Sequence, residues 1–396
     1  MTGFRKYLML FAAALLLPSC ADRAWVGVVD GEYDDSEDAF PVPVLVGVGD
    51  PSSTKGTGAV DADEGHPFMD VNLYVYAFNS TTRAPFTAKA ASDSKSCLFD
   101  GSLDYPFSNE GRKAFFNGSD IYVDWPDASS LTYYPVGNTD AYDFYAYFTD
   151  DYQPSRVMRS ADRIEIPVEI DGARDIMSGR AVLSNEALPD YFSETEKHLL
   201  KQRAFSAYTA RRGVNPVLNF RHHLTRLRFE IYPTSEESHK VVINSIGVKS
   251  RYSGNFTAVA RSAEDEGIDF SSSSYKWLYL PEADGSSLKR DTYHTLEGAN
   301  LNLPLYERQA VQVGGTILVA PDSDYEAEVE LFDYRGGGHS GKSAIDISGD
   351  FLPGHQYVVR IAVYGLLEPQ VTVQLEPWGT GGHIIIDNED NFTPRI

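Results

Sequence analysis

The sequence has few cysteines and few positive charges for its length. Its 396 residues include 2 Cys, and 34 Lys and Arg stand against 57 Asp and Glu, for a formal net charge of −23. Two cysteines are too few for a disulfide framework or a cysteine-rich zinc module. The excess of negative charge argues against nucleic acid as a partner, because that binding needs a basic surface that neutralises phosphates. It also disfavours adsorption to anionic lipid headgroups.

Long apolar runs are missing as well. Leu8 to Leu17 is too short to span a hydrocarbon core of about 30 Å, but it suits a secretory signal because Arg5 and Lys6 precede it. Leu17-Pro18-Ser19-Cys20 follows and resembles the lipobox of bacterial lipoproteins, in which a peptidase cuts before the cysteine and its sulfur carries a diacylglycerol. We therefore expect residues 1–19 to be a lipoprotein signal peptide and Cys20 to be lipidated. An ordinary signal peptide with an incidental cysteine is the alternative.

Helical periodicity is scarce, and strand-type alternation dominates the chain after an acidic tether at residues 21–40. Glu326-Ala-Glu-Val-Glu-Leu-Phe, for example, alternates polar and apolar residues as a strand with one wet face does. The best helix candidate is Ser193–Arg203, with Ser193 as N-cap and Glu196 at the capping-box position. Many short strands joined by loops rich in Gly, Pro, Asn and Asp predict an all-β protein of β-sandwich type. A polar stretch at about residues 193–215 is the predicted junction between two domains.

Motifs for chemistry are weak in this sequence. Gly336 to Ser343 satisfies the P-loop pattern, but Ala344–Phe351 and Pro353 deny the helix that such a loop requires, so we predict a glycine-rich hairpin turn. No nucleophile elbow of the form G-x-S-x-G occurs. The carboxylates of the acidic tether lack the alternation of a calcium loop. We therefore predict no catalytic residue, no cofactor and no metal site, although a hydrolase site invisible to sequence inspection is one alternative.

Two further groups of residues have a functional and a structural interpretation. His222 and His223 are adjacent in a predicted strand and point to opposite faces, so we expect one to be packed and the other solvated. Tyr133-Tyr134 and the aromatic run at residues 142–148 could stack on sugars, which keeps a surface glycan-binding lipoprotein as an alternative function. Aromatic strands of a core are the commoner explanation.

Several segments, taken in order, resemble the fimbrillin family, the subunits of type V pili on Gram-negative cell surfaces. They are Leu131-Thr-Tyr-Tyr-Pro, Tyr142-Asp-Phe-Tyr-Ala-Tyr, Asp175-Ile-Met-Ser-Gly, Leu218-Asn-Phe-Arg-His-His-Leu-Thr-Arg-Leu-Arg-Phe, Leu352-Pro-Gly-His-Gln-Tyr and Val371-Thr-Val-Gln-Leu-Glu-Pro-Trp. Each motif alone is strand and turn chemistry. Together, behind a lipobox, they are fairly specific and span nearly the whole mature chain.

The resemblance implies two consecutive transthyretin-like Greek-key β-sandwich domains, which we place at residues 56–210 and 211–396. It also implies export as a lipoprotein to the outer membrane, removal of an N-terminal prosegment by a trypsin-like protease, and polymerisation with other fimbrial subunits by donor-strand exchange. The prosegment would be residues 20–55, and the cut would fall between Lys55 and Gly56. Family members typically present Arg there, so Lys55 is a departure that affects the identity of the protease.

The resemblance also assigns roles to two sets of apolar residues. The removable first strand, whose loss would open the groove, would contain Val42, Val44, Val46 and Val48. The donor strand that fills the groove of a neighbouring subunit would come from the C-terminal tail, whose candidate residues are Val371, Val373, Leu375, Ile384 and Ile386. The alternative for the tail is that these segments complete the second sandwich of their own chain. Within the family, an anchor or a tip subunit is the alternative role.

Overall fold

The computed structural model of the protein describes residues 40–49, 68–103, 110–118, 120–126, 131–150, 152, 156–184, 188–289, 292–295, 298–304, 307–333, 339–363, 370–376 and 384–386. Strands arranged in several sheets make up 47% of this part of the chain, and helices make up 8%. The predicted all-β sandwich class is confirmed, and the Greek-key order of the strands stays a prediction.

The strands and helices are numbered in chain order. The strands are β1 (Gly47–Val48), β2 (Val71–Asn79), β3 (Cys97–Phe99), β4 (Arg112–Phe116), β5 (Tyr142–Phe148), β6 (Met158–Arg159), β7 (Arg163–Glu169), β8 (Met177–Ala181), β9 (Val217–His222), β10 (Thr225–Pro233), β11 (Val241–Arg251), β12 (Ser253–Ala260), β13 (Gly267–Asp269), β14 (Tyr275–Tyr279), β15 (Tyr293–His294), β16 (Val311–Val319), β17 (Asp322–Asp333), β18 (His339–Phe351), β19 (Gln356–Val363), β20 (Gln370–Glu376) and β21 (Ile384–Ile386). The helices are α1 (Glu194–Gln202) and α2 (Ala207–Arg211), and the 3-10 turns are Glu236–Lys240 and Ala263–Asp265.

The first sandwich is built on a seven-stranded sheet in the order β1-β9-β8-β5-β2-β3, with β4 also paired to β2. Both faces of this sheet are buried, because β2 and β5 carry apolar residues at nearly every position. Leu73, Val75 and Ala77 face one core, and Tyr74, Tyr76 and Phe78 face another. The second of these faces packs on a four-stranded sheet in the order β13-β12-β7-β6.

The four-stranded sheet joins the two halves of the chain. β7 pairs antiparallel with β12 from Ser253↔Glu169 to Ala260↔Arg163. Likewise, β9 pairs with β8 inside the seven-stranded sheet. Main-chain pairing therefore crosses the predicted boundary between residues 210 and 211 in both of these strand pairs, and again where β1 pairs with β9.

The second sandwich consists of two five-stranded sheets, ordered β16-β10-β19-β20-β21 and β14-β11-β17-β18, with β15 also paired to β11. β10 runs parallel to β19 and antiparallel to β16. Alternate residues of the facing strands are fully buried against one another, including Leu227, Phe229, Val248, Val329 and Val359. This core is continuous with the tyrosine-lined core of the first sandwich.

Helix α1 begins where the sequence predicts it. Ser193 Oγ accepts a hydrogen bond from the Glu196 amide at 3.3 Å, and a Glu196 carboxylate oxygen accepts one from the Ser193 amide at 2.8 Å. This reciprocal capping box satisfies two amides that the first turn leaves without helical partners. Leu200 is the buried residue of the helix and packs with Phe192 and Tyr208.

We predict that a fragment of residues 40–210 does not fold alone. It lacks β9 and β12, so the edges of β8 and β7 lose their hydrogen-bonding partners and apolar side chains of the first sandwich become exposed. The expected result is a poorly dispersed NMR spectrum, whereas residues 40–363 give a dispersed one. A well-dispersed spectrum from the short fragment would show that the first sandwich is autonomous.

Candidate functional site: the N-terminal segment and its groove

Residues 42–48, here called the N-terminal segment, lie in a groove of the first sandwich. Val42, Val44 and Val46 are hydrogen-bonded to one neighbour, and pairing with β9 on the other side is confined to the end of the segment, at Gly47 and Val48. On one side the segment lies antiparallel to residues 132–134 and 122–123. Val44 N donates to Thr132 O, Tyr134 N to Val42 O and Val123 N to Val46 O, each at 2.9 Å. On the other side the segment runs parallel to β9, and the amides of Gly47 and Gly49 donate to the carbonyls of Pro216 and Leu218 at 2.8 Å. The segment therefore fills a strand-shaped gap.

The valines of this segment provide its apolar contacts. Val44 and Val46 are each 1% exposed, and Val42 and Val48 are half-buried against the same core. Burying one valine side chain stabilises a fold by roughly 1.5–3 kcal/mol. Removal of the segment would therefore expose an apolar groove together with amides and carbonyls that have lost their partners.

Glycines allow the close fit at the end of the segment. A Cβ on Gly47 would lie 3.1 Å from the Ile121 carbonyl oxygen, and a Cβ on Gly49 would lie 2.4 Å from Asn219 Oδ1. Contacts below 3.0 Å do not occur for real Cβ atoms, so Asn219 would have to move if Gly49 gained a side chain. A side chain at either glycine would therefore press on a neighbour of the segment, the Ile121 carbonyl for Gly47 and the Asn219 side chain for Gly49.

The C-terminal donor candidates lie in the second sandwich. β20 pairs antiparallel with β19 in a register that sets Val371, Val373 and Leu375 opposite Ile361, Val359 and Tyr357. β21 pairs in turn with β20, with Ile384 opposite Leu375 and Ile386 opposite Val373. Both segments therefore extend a sheet of their own chain, which is the arrangement that the sequence left open as the alternative. Donation of either segment to a second subunit stays a prediction.

Three predicted site residues lie outside the described residues. They are Cys20, the predicted lipidation site, and Lys55 and Gly56, which flank the predicted cut.

The P-loop pattern folds as a hairpin strand. Residues 339–343 belong to β18, which pairs antiparallel with β17 from Asp333↔His339 onward. Lys342, the position that would contact phosphates, instead lies with its Nζ 2.7 Å from Glu328 Oε1. No helix follows, because β18 continues as a strand to Phe351. The pairing of β17 with β18 is that of the predicted hairpin, and its glycine-rich turn at residues 334–338 lies outside the described residues.

The two adjacent histidines have different partners, but the expectation that one is solvated is wrong. His222 is 4% exposed, and its Nδ1 lies 2.6 Å from Asp175 Oδ2. His223 is 5% exposed, and its Nε2 lies 2.8 Å from Ser178 Oγ. Residues 266–270 and the 353–355 turn of the second sandwich line a pocket of about 450 Å³ with both histidines. The sequence around the two histidines does not show that residues from these distant segments lie against them.

Ser178 and His223 belong to a buried polar cluster that links β8 to the β12–β13 connection. Ser178 Oγ donates to Glu266 Oε2 at 2.7 Å, and Arg180 and Arg221 contact the same carboxylate at 2.6 and 3.3 Å. Because the Ser178 proton goes to Glu266, the His223 Nε2–H must donate to Ser178 Oγ. A histidine that donates to a serine cannot act as its base, so this cluster is not arranged as a nucleophile–histidine pair. Arg180 and Glu266 are 86 residues apart, and no local pattern announces the cluster.

The tyrosine-rich run of β5 is core, as the structural interpretation predicts. Tyr142, Tyr145 and Tyr147 are at most 1% exposed, and Tyr134 is 2% exposed. Tyr133 is 44% exposed, and its backbone forms a bridge with Pro43 of the N-terminal segment. The four buried tyrosines therefore offer no exposed face to sugars, and Tyr133 is the exposed member of the predicted group.

Two kinds of feature are absent from the described residues. No group of three or more His, Cys, Asp and Glu within them is placed to hold a metal ion. Nor does any helix in this part of the chain have the length and apolar character needed to cross a membrane.

Some solved structures that resemble this chain are named for cell adhesion or for fimbriae. No family model and no curated protein matches the sequence. A structure named as a candidate cell adhesion protein from Bacteroides uniformis is 12% identical, with 85% of this chain and 98% of that chain covered at a TM-score of 0.45. One from Bacteroides ovatus is 13% identical, with 87% and 99% covered at 0.42. The fimbrial anchor protein Mfa2 from Porphyromonas gingivalis is 11% identical, with 86% and 98% covered at 0.32. The neighbours thus include a fimbrial protein, in agreement with the resemblance found in the sequence, and the match is structural only.

We predict that Val46→Ala lowers the free energy of unfolding by about 2 kcal/mol, because it leaves a cavity beside the core of the first sandwich. Urea denaturation measures the change. Val182→Ala is the matched control, since Val182 is 61% exposed and its truncation should change stability by less than about 0.5 kcal/mol. Equal effects of the two substitutions would show that the segment contributes little to the fold.

We also predict that stability falls in mild acid through His223. Burial, with a smaller effect of Arg221, lowers the pKa of His223 from 6.5 to about 3. Between these pH values the unfolded chain binds a proton that the folded chain does not. The contribution of this group is therefore complete above about pH 6.5 and is lost toward pH 3, by up to about 1.4 kcal/mol per pH unit.

Urea denaturation at several pH values between about 4.5 and 7 tests this dependence. His223→Gln is expected to reduce the slope of the free energy of unfolding against pH. His198→Gln, at an exposed position of α1, is expected to leave the slope unchanged. A His223→Gln slope equal to that of the unsubstituted protein would contradict the prediction.

Proposed function

We propose that this chain is a structural subunit of cell-surface fimbriae, assembled by replacement of its N-terminal segment with a strand from another subunit. The observation that supports the proposal is the main-chain pairing of residues 42–48 over a groove filled by Val44 and Val46. The adhesion and fimbrial names of the structural neighbours agree with it. The role is structural and adhesive, with no enzymatic step.

Strand replacement follows from the cost of an empty groove. A groove without its strand carries unpaired amides and carbonyls beside exposed apolar surface, both of which are unfavourable in water. A new strand restores the main-chain hydrogen bonds, and its alternate side chains fill the sites of the valines. The favoured donor is the tail that contains Val371, Val373 and Leu375 or Ile384 and Ile386, contributed by the next subunit.

The precursor supplies the order of events. Export as a lipoprotein would attach Cys20 to the outer membrane, and a trypsin-like protease would then cut between Lys55 and Gly56. Because the cut lies after residue 48, residues 20–55 carry the whole N-terminal segment and would leave together. An anchor subunit would instead keep Cys20 acylated and Lys55 uncut, and a tip subunit would have no donor strand.

Mass spectrometry of the surface-exposed protein tests the proposal. A mature N-terminus at Gly56, and ladders of subunits on unboiled gels, are the expected results. Lys55→Gln is expected to abolish both, whereas Lys89→Gln, at an exposed lysine of the folded domain, is expected to change neither. Deletion of residues 371–396 is expected to leave the cut intact and remove the ladders.

Three outcomes would count against parts of this proposal. An acylated Cys20 at the N-terminus of the surface protein would exclude the polymerising subunit and favour an anchor or a surface-bound lipoprotein. A mature terminus elsewhere would move the cut away from Lys55. Ladders that persist after deletion of residues 371–396 would exclude the tail as donor.

A further inference from the structure

Strand β14 presents a row of aromatic side chains on the outer face of the second sandwich. Tyr275, Trp277 and Tyr279 alternate with Lys276 and Leu278, and Leu278 is buried in the core. The three aromatic residues therefore share the outer face of the sheet, with Tyr275 and Tyr279 each about half exposed. We call this row the aromatic strip. The family resemblance, which rests on other segments, does not account for it.

A glycine on the neighbouring strand sets how the strip lies. Gly247 of β11 is opposite Tyr279, and a Cβ there would lie 3.0 and 3.3 Å from Cε1 and Cδ1 of the Tyr279 ring. It would also lie 3.4 Å from Cε3 of Trp277. The Cδ1–Cε1 edge of the Tyr279 ring therefore lies close to the position that a side chain on Gly247 would take, so the glycine leaves this space to the ring.

The strip is bordered by ordered ion pairs. Lys249, opposite Trp277, lies 2.6 Å from Glu326, and Lys342 lies 2.7 Å from Glu328. At the end of the strip Arg251 Nε donates to the Tyr275 hydroxyl at 3.2 Å. These side chains place hydrogen-bond donors and acceptors at the level of the rings, along the whole length of the strip.

We propose that the aromatic strip binds a chain of neutral pyranose sugars. A pyranose presents a face of C–H groups that stacks on an aromatic ring and a rim of hydroxyls that both donate and accept hydrogen bonds. Side chains two residues apart on a strand are about 6.8 Å apart, so the strip presents three aromatic side chains in a line to one extended oligosaccharide. The outer face of this sheet offers aromatic rings and hydrogen-bonding side chains next to each other.

The charge of this face favours a neutral ligand. The acidic side chains Glu326, Glu328, Glu330 and Asp346 outnumber the basic ones, Lys249, Arg251 and Lys342, in a chain with a net charge of −23. An anionic glycan would be repelled by this face, and an apolar protein surface would have to desolvate the ion pairs. A neutral sugar does neither.

Affinity gel electrophoresis of the full chain in gels that contain soluble mannan, xylan or β-glucan tests the proposal. Retardation by at least one of them, and none by polygalacturonate, is the expected result. Trp277→Ala and Tyr279→Ala are each expected to weaken binding about tenfold, the effect of one lost stacking contact. Tyr191→Ala, which truncates a tyrosine that is 64% exposed elsewhere, is the matched control and should leave binding unchanged.

Gly247→Val provides a second test that keeps all three aromatic residues. Gly247 has no positive φ, so valine is allowed on the strand, but its side chain must lift the Tyr279 ring. Weaker retardation with an unchanged melting temperature is expected.

Retardation by none of the three neutral polysaccharides, or binding equal in Trp277→Ala and Tyr191→Ala, would overturn the proposal. Dissociation of a dimer by Tyr279→Ala would also overturn the proposal, because a second copy would then occupy the strip. Because the gels contain isolated subunits, they measure binding of polysaccharide to the aromatic strip independently of fimbrial assembly.

Discussion

The pairing of β7 with β12 is the contact on which the rest of the fold depends. It brings a strand from the first half of the chain against one from the second, and the sheet so formed covers the tyrosine-lined face of the seven-stranded sheet. With that face covered, the opposite face becomes the wall on which the N-terminal segment packs. The groove therefore exists because the first sandwich is completed by residues that follow it in sequence.

Much of the strand content could be predicted because alternation is local. β17 shows this alternation in its own letters, β2 and β5 are recognisable as near-continuous apolar runs, and the capping box at Ser193 is equally local. The valines at 44 and 46 are buried as their period of two indicates. What a single sequence could not give is pairing at a distance: nothing near residue 217 shows that β9 joins the first sheet, and nothing near Glu266 names Ser178 and Arg180 as its partners.

The aromatic strip shows a different reason for a missed feature. Tyr275-Lys-Trp-Leu-Tyr has the same period as a buried strand, and the letters do not tell which face is covered. In β5, aromatic residues at the same spacing lie in the core, whereas in β14 they lie outside because Leu278 takes the inner position. Burial of a face is decided by the opposite sheet. Richness in aromatic residues alone therefore does not tell whether the aromatic side chains of a strand lie in the core or on the surface.

The chain passes from the first sandwich to the second almost without a turn. β9 ends at His222 and β10 begins at Thr225, so one extended run belongs to two sheets in succession. Tension between the two sandwiches would therefore pull β9 lengthwise past β8, and β10 past β16 and β19. In that direction the hydrogen bonds of each ladder are strained together, in shear, whereas peeling would break them one at a time. The junction is thus mechanically stiff where a flexible linker would have let the two sandwiches swing.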